Sequence, residues 1–471
     1  MRLFPSALIL LLAWGALAFG GSPTWAAASI AVLALTTGVL GLLERSPASS
    51  VGSFRHRAVV AAAAVVLLAV ALQLVPLSKG LAHRLSPARG NADYEQLLAV
   101  ADRRDPAQVQ RAPEAPAPLS IAPSRTALGW IGLAALALLL VGASRGLSTN
   151  GTQGIVLAIA GLGGMVAMLG LYQLTTDFRL VYGWYVPLFA NGRSAPFINP
   201  NHQAGWLVMA LSVTLGAFAG GVARGMRGVA PNWRARIIWL SSKDANVAVL
   251  MLFSSAVIVA GILAAGSRGG VLAMMLTFLV VAGWSSRRQP TRARRVSTAV
   301  GLMTMGLVLL ALNGQAVLRE ISQTEGPEDR LLIWQDTMRI ANDFWLVGSG
   351  FNTYGVAMLN YQTVSDGFRY VEAHNDYLQL AAEGGLLVGL PTLLLAGVVI
   401  VEMRRRFKAG DDPRTYWVRV GAVTGIIGMA LQSVVDFTLQ LPGAAVMFTT
   451  LVAIAIHHPP ARGVSRGREA R

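Results

Sequence analysis

The sequence predicts an all-α membrane protein of about 12 transmembrane helices, with a large, partly helical periplasmic loop between helices 9 and 10. Two observations predict it. Hydrophobic residues make up 54% of the 471, and charged residues only 13%, where a soluble domain carries about 25%. The apolar residues also run on for about 20 positions at a time, the length a helix needs to cross a hydrocarbon core. No water reaches that core, so each run must satisfy its own backbone groups as a helix.

The runs fall at 4–20, 25–43, 58–77, 126–144, 154–174, 203–222, 245–265, 267–284, 296–317, 377–403, 418–435 and 439–456. The first also reads as a signal peptide, with Arg2, an apolar core and the small residues Ala16 and Ala18. Its removal would leave the orientation of the rest unchanged. Alternate connections are basic: Arg45, Arg55 and Arg57; Arg145; Arg224, Arg227, Arg234, Arg236 and Lys243; Arg287 to Arg295; Arg404 to Arg414; and the tail 457–471. The positive-inside bias assigns these to the cytoplasm together with both termini. The chain therefore reads as one multi-pass domain, 1–471.

The net charge of +16 does not point to nucleic acid, because the arginines punctuate apolar runs instead of forming one patch. With no cysteine, disulfides and thiolate metal sites are excluded. The cytoplasmic connections are short and look purely topogenic. Most acids lie on the other side, in the connections 78–125, 175–202 and 318–374, so loop chemistry is expected there.

The first outer connection, 78–125, is proline-rich and cannot form a continuous helix. It reads as a surface linker or as a cap over a substrate. The second holds G-R-S-A-P-F-I-N-P-N-H before the sixth helix. Its asparagines, Asn199 and Asn201, suit a helix start. Arg193 with a helix N-terminus equally suits an anion site. His202 reads as a capping or packing residue. A tight turn, Ser267-Arg268-Gly269-Gly270, joins the seventh and eighth helices. Arg268 there either snorkels to the interface or pairs with phosphate oxygens.

Within 318–374, helical spacing over 328–345 puts Leu331, Trp334, Met338, Ala341 and Trp345 on one face. That face packs in a core or lies on the membrane interface. Arg330, near the helix start, opposes the helix dipole and hints at another use. G-S-G-F-N-T-Y-G follows, turning through Gly348, Gly350 and Gly355. The segment ends in A-H-N-D-Y-L-Q-L-A-A-E-G-G, which places His374, Asn375 and Asp376 at a membrane boundary. Glu383 falls inside an apolar run, where a carboxylate needs a partner.

Taken in this order and helix placement, these motifs resemble the O-antigen ligase and polymerase superfamily of bacterial envelope glycan enzymes, over 154–456. The resemblance implies a metal- and cofactor-independent glycosyltransferase. The implied donor is a glycan on undecaprenyl diphosphate, presented at the periplasmic leaflet of the bacterial inner membrane. The implied acceptor is a hydroxyl of lipid-A core or of a growing polysaccharide. On this likeness His374 is the general base. Arg193, Arg268 and Arg330 bind the diphosphate, and Asn201, Asn375, Asp376 and Glu383 support them. The chain departs from the usual pattern at Pro196, where a glycine commonly precedes the phenylalanine. The long proline-rich connection leans toward a polymerase. A flippase is the alternative, and would need charged residues lining a central path. Here mid-membrane charge is scarce: Glu383 and, nearer an end, Asp436. A non-catalytic scaffold gives no reason for single outer arginines.

Overall fold

The structure, a computed structural model, describes residues 3–44, 57–101, 117–176, 180–186, 195–230, 232–287, 327–363, 369–408 and 412–459. Among these residues every regular element is helical. In chain order the helices are α1 (Leu3–Leu17), α2 (Thr24–Leu43), α3 (Arg57–Leu72), α4 (Lys79–Leu85), α5 (Tyr94–Ala101), α6 (Pro123–Asn150), α7 (Gln153–Gln173) and α8 (Pro200–Gly225). They continue with α9 (Trp233–Leu240), α10 (Lys243–Ala265), α11 (Arg268–Arg287), α12 (Pro327–Asp343), α13 (Tyr354–Tyr361), α14 (Asp376–Lys408), α15 (Pro413–Gln432) and α16 (Pro442–Ile456). Among the described residues 6 helices are long and apolar enough to cross a membrane: α2, α6, α7, α8, α10 and α14. Helices α1, α3, α16 and the start of α11 are apolar but shorter. The protein is a multi-pass membrane protein. The predicted runs fall on helices, except 296–317, which lies outside the described residues.

Three local expectations change. The proline-rich connection is not simply extended: its described part folds into α4, a 3-10 turn at Pro87–Asn91 and α5. Prolines start or flank these pieces and keep them short. The basic connection after α8 is not only topogenic, because it contains α9. That helix buries no residue and exposes Trp233, Ile237, Ile238 and Leu240 beside Arg234 and Arg236. Gly355 is not in a turn but is the second residue of α13.

Helix α8 is the central one. It is buried almost continuously from His202 to Thr214 and packs against α15, α10, α7 and α11. Its closest neighbour is α15, where Gly216 and Gly421 face each other so tightly that a Cβ on Gly421 would meet the Ser212 carbonyl at 2.4 Å. Small residues at such crossings let two helices approach backbone to backbone.

Helix α14 is broken at Gly385, where φ is 53° and ψ is −156°. From Leu386 to Met403 it rises about 27 Å at ~1.5 Å per residue, close to the ~30 Å of a hydrocarbon core. The stretch after the break is therefore by itself nearly long enough to span a membrane, with Asp376–Gly384 on the other side of the break. The carbonyls and amides freed by the break are taken up by the segment after α12. Leu386 N and Leu387 N donate to the carbonyls of Trp345 (2.8 Å) and Leu346 (2.9 Å), while Ser349 N and Gly350 N donate to those of Ala382 (3.0 Å) and Glu383 (3.1 Å). Gln73, just past α3, seals the junction. Its amide donates to Val347 O (2.6 Å) and Glu383 O (2.9 Å), and its oxygen accepts from Phe351 N (2.9 Å). Glu383 has the partner it requires, in backbone form: its two oxygens accept from Asn352 N (2.9 Å) and Tyr354 N (2.8 Å).

The break gives a direct test. A Cβ at Gly385 would lie 2.6 Å from Gly348 N and 2.8 Å from Trp345 O, in left-handed backbone. Gly385→Ala is expected to destabilise the protein by at least ~1–3 kcal/mol. Gly397→Ala, on the same helix with open space around it, should leave stability unchanged or raise it slightly. Thermal unfolding in detergent, comparing the two variants, checks this.

Candidate functional site

The site is assembled at one end of the bundle around the turn 433–441, between α15 and α16. Asp436 lies in this turn and is 2% exposed, with Oδ2 accepting from Thr438 Oγ1 at 2.5 Å. Its other oxygen, Oδ1, faces His202 Nε2 at 3.8 Å. Phe437 stands between two imidazoles. The ring centroids are 4.6 Å from His202 and 4.7 Å from His374, both edge to face at 77° and 88°. Arg330, from the first turn of α12, donates to the Val435 carbonyl at 3.1 Å. That places its guanidinium beside the same turn.

His374 is held in an unusual conformation, with φ at +50°. Left-handed backbone is costly for a residue with a Cβ, and such strain gathers at functional positions. Its surroundings fix it from both sides. Trp334 Nε1 donates to the Ala373 carbonyl (3.1 Å), and Ala373 N donates to Gln379 Oε1 (3.0 Å). Asn375 Oδ1 then accepts from Tyr377 N and Leu378 N at 3.0 Å each, capping α14. Asp376 N donates to the Ser433 carbonyl (2.9 Å), and its Oδ1 accepts from Gln440 (3.0 Å). These bonds tie the start of α14 to the turn that carries Asp436.

Burial pushes the His374 imidazole down to about 4, with Arg330 and His202 adding to the fall and Asp436 opposing it. It is therefore neutral at pH 7 and free to accept a proton. Burial also pushes the nearby Glu372 carboxyl up to about 8, with the neighbouring carboxyls of Glu383 and Asp376 adding and its bond from Gln379 opposing. Glu372 accepts from Gln379 Nε2 at 2.6 Å. A largely protonated Glu372 limits the repulsion among these acids.

The expected residues divide into groups. Arg330, His374 and Asp376 are brought together at the turn. The turn S-R-G-G reaches it too. Gly269 lies beside Val435, and Gly270 packs on Ala204, two residues beyond His202. Arg268 opens α11 there with its side chain exposed. Asn201 belongs to the scaffold: its carbonyl accepts from Gln432 Nε2 (2.9 Å), and its amide donates to Asn199 Oδ1 (2.8 Å). Asn375 is a helix cap, and Glu383 holds the loop after α12. Arg193 lies outside the described residues. The sequence did not single out Phe437 or Ser433, and it noted Asp436 only as a charge ending an apolar run. An acid so placed is costly in a membrane protein, and that cost was the available signal. Among the described residues no group of three or more His, Asp or Glu is arranged to hold a metal ion.

The α12 stripe also resolves into two parts. Ile333, Asp336, Thr337, Ile340 and Phe344 are buried, while Leu331, Met338 and Trp345 are 52%, 45% and 58% exposed. Asp336 tolerates burial because it accepts from Thr363 N (2.9 Å) and Oγ1 (3.0 Å) and pairs with Arg339 (3.2 Å). The predicted stripe is thus divided: Trp334 and Ala341 are half-buried, with Trp334 bonded to the Ala373 carbonyl, while its outer members face outward as on an interface-lying helix.

Residues 253–393 match the family described as O-antigen ligase. The match covers Arg268, Arg330, His374 and Glu383, and less than a third of the chain. No curated protein matches the chain.

The state of His374 is open to measurement. The unfolded chain binds a proton there near pH 6.5 and the folded chain only near pH 4, so this group destabilises the fold as pH falls through that window. Carbethoxylation by diethyl pyrocarbonate, read at His374 by mass spectrometry, should persist well below pH 6.5. A midpoint at or above pH 6.5 would contradict a neutral, half-buried imidazole.

Proposed function

We propose, taking residues 253–393 as a region of the O-antigen ligase superfamily, that the protein is a membrane glycosyltransferase. It would move a glycan from a polyprenyl diphosphate donor to a hydroxyl acceptor at the periplasmic face of the bacterial inner membrane. The observation that carries this reading is a neutral, strained His374 beside a buried carboxylate and an arginine. In the reaction, the acceptor oxygen attacks the anomeric carbon and the bond from that carbon to the diphosphate oxygen breaks. The hydroxyl proton passes to His374, and the polyprenyl diphosphate leaves with the bonding pair. A positioned base supplies about 10²–10⁴ in rate. Asp436 would stabilise the imidazolium as it forms.

The leaving diphosphate gains negative charge in the transition state, and preorganised cations there are worth most. Arg268, exposed at the start of α11, is placed to meet a ligand arriving from the membrane surface. Arg330 is partly engaged with the Val435 carbonyl, which suits it to steering the turn as well as to charge neutralisation. Arg193 is retained as a third cation by its sequence motif. Transfer to lipid-A core and extension of a polysaccharide use the same chemistry and differ in the acceptor. A flippase is less well supported, because the site's titratable groups gather at one end of the bundle.

His374→Ala is expected to lower transfer by at least ~10²-fold and Arg268→Ala to abolish it, while both proteins still insert in the membrane. Arg268→Lys should fail as well, since an ammonium lacks the bidentate fork of a guanidinium. Normal transfer by the two alanine variants would sink the mechanism. In cells, deleting the gene and separating surface glycans on a gel distinguishes the acceptors. Accumulated lipid-linked polymer marks a ligase, and single repeat units in place of long chains mark a polymerase.

A further inference from the structure

We propose that His202 is a positioning residue for His374, holding Asp436 and Phe437 in place against the reactive imidazole. The inference rests on the reading of His374 as the base. His202 opens α8, more than 150 residues earlier in the chain, and is only 4% exposed. It is not needed as a helix cap, because Asn199 fills that role through its bond from Asn201 N. Its Nε2 has no hydrogen-bond partner, and neither does Asp436 Oδ1, which it faces at 3.8 Å. Burying two such atoms is costly unless they serve one another. The Thr438 hydroxyl fixes the other carboxylate oxygen, so Asp436 is steered by Thr438 on one side and His202 on the other.

The ring contacts reinforce the arrangement. Phe437 presents an edge-to-face contact to each imidazole, so a shift of His202 moves the surface against which His374 rests. The charged and titratable groups facing His374 are Asp436 from the turn, Arg330 from α12 and His202 from α8. Asp436 alone carries the sign that stabilises a protonated His374. Its placement therefore sets how readily His374 takes the acceptor's proton. Arg330 opposes that protonation by direct charge, whereas His202 acts on it through the placement of Asp436.

The experiment uses full-length protein in membranes of a deletion strain, with a synthetic polyprenyl diphosphate oligosaccharide as donor. Turnover and donor KM are measured for His202→Phe, which keeps the ring against Phe437 and removes the nitrogens. The proposal expects turnover to fall at least ~10-fold with donor KM unchanged. His202→Gln, whose amide nitrogen reaches the position of Nε2, should stay within about threefold of the parent. In an Asp436→Asn background, His202→Phe should cost nothing further, because both act through one carboxylate. Full turnover by His202→Phe, or the same loss with and without Asp436, would overturn the proposal. If His202→Phe fails to accumulate, the Gln variant decides: activity near the parent supports the proposal, and a ~10-fold loss overturns it. A parent protein that transfers nothing would overturn the glycosyltransferase reading itself, and with it this one.

Discussion

One helix that breaks at Gly385 organises everything on the N-terminal side of the break. There the α14 backbone turns left-handed, and a helix of a membrane protein cannot lose its hydrogen bonds without replacement. The replacement is the backbone of 345–350, laid across the gap, with the Glu383 carboxylate gripping Asn352 N and Tyr354 N. A Cβ at Gly348 would meet the Glu383 carbonyl at 2.0 Å, so only glycine allows this approach. The two glycine-rich motifs are the two halves of one joint. The joint anchors α12 and α13 to the membrane-spanning part. Trp334 of α12 then fixes the Ala373 carbonyl, one residue before His374. The orientation of the imidazole thus traces back to the broken helix.

The helical membrane class was legible because hydrophobic run length is a one-dimensional property. Local devices were legible for the same reason, such as Asn199 at the head of α8 and a buried Glu383 in need of partners. The site was only half legible. His374 and Arg330 stand out because each violates a local rule, a polar group at a membrane edge and a cation at a helix start. His202 and Asp436 violate less, since each reads as the unremarkable end of an apolar run. Their meaning lies in a contact across more than 230 positions, which no local pattern encodes. Which of its two readings the α12 face takes was hidden for a related reason. Its 3.6 period holds two apolar stripes, and which one meets the protein depends on where the Gly385 joint sets the helix. Asp336 and Thr337 lie on the buried stripe, satisfied by Thr363, Arg339 and Tyr354, and polar residues there hid it.

At His374 several effects compete. Burial removes water from a charge and disfavours the imidazolium. Arg330 and His202 act in the same direction, and Asp436 alone opposes them. Burial wins, so the resting state is neutral. The opposition from Asp436 still matters, because it grows in value when a proton arrives. A carboxylate beside the base does little in the ground state and most as positive charge appears, which is what catalysis rewards. If Arg330 were paired with Asp436, that benefit would be cancelled. The structure instead engages Arg330 with the Val435 carbonyl, so a cation and a carboxylate coexist a residue apart, as the proposed reaction would need.

The backbone strengthens the same polarity. Helices α8, α11 and α14 all begin around the turn 432–437: Gln432 bonds the Asn201 carbonyl, Gly269 lies against Val435, and Asp376 N donates to Ser433 O. Each N-terminus carries part of a positive charge from its aligned peptide dipoles, reduced where side chains such as Asn199 and Asn375 already accept from its first amides. Helix α15 ends at the same place with its negative end, so about three positive ends stand against one. The excess is positive before any side chain is counted, and Arg268 and Arg330 add to it. A neutral acceptor gains nothing from this field. A group that becomes more anionic as its bond to carbon breaks gains most at that moment, and a diphosphate leaving group is such a group. On the proposed reaction, the fold and the two arginines would favour the departure of the diphosphate, while the His374–Asp436 pair would serve the incoming hydroxyl.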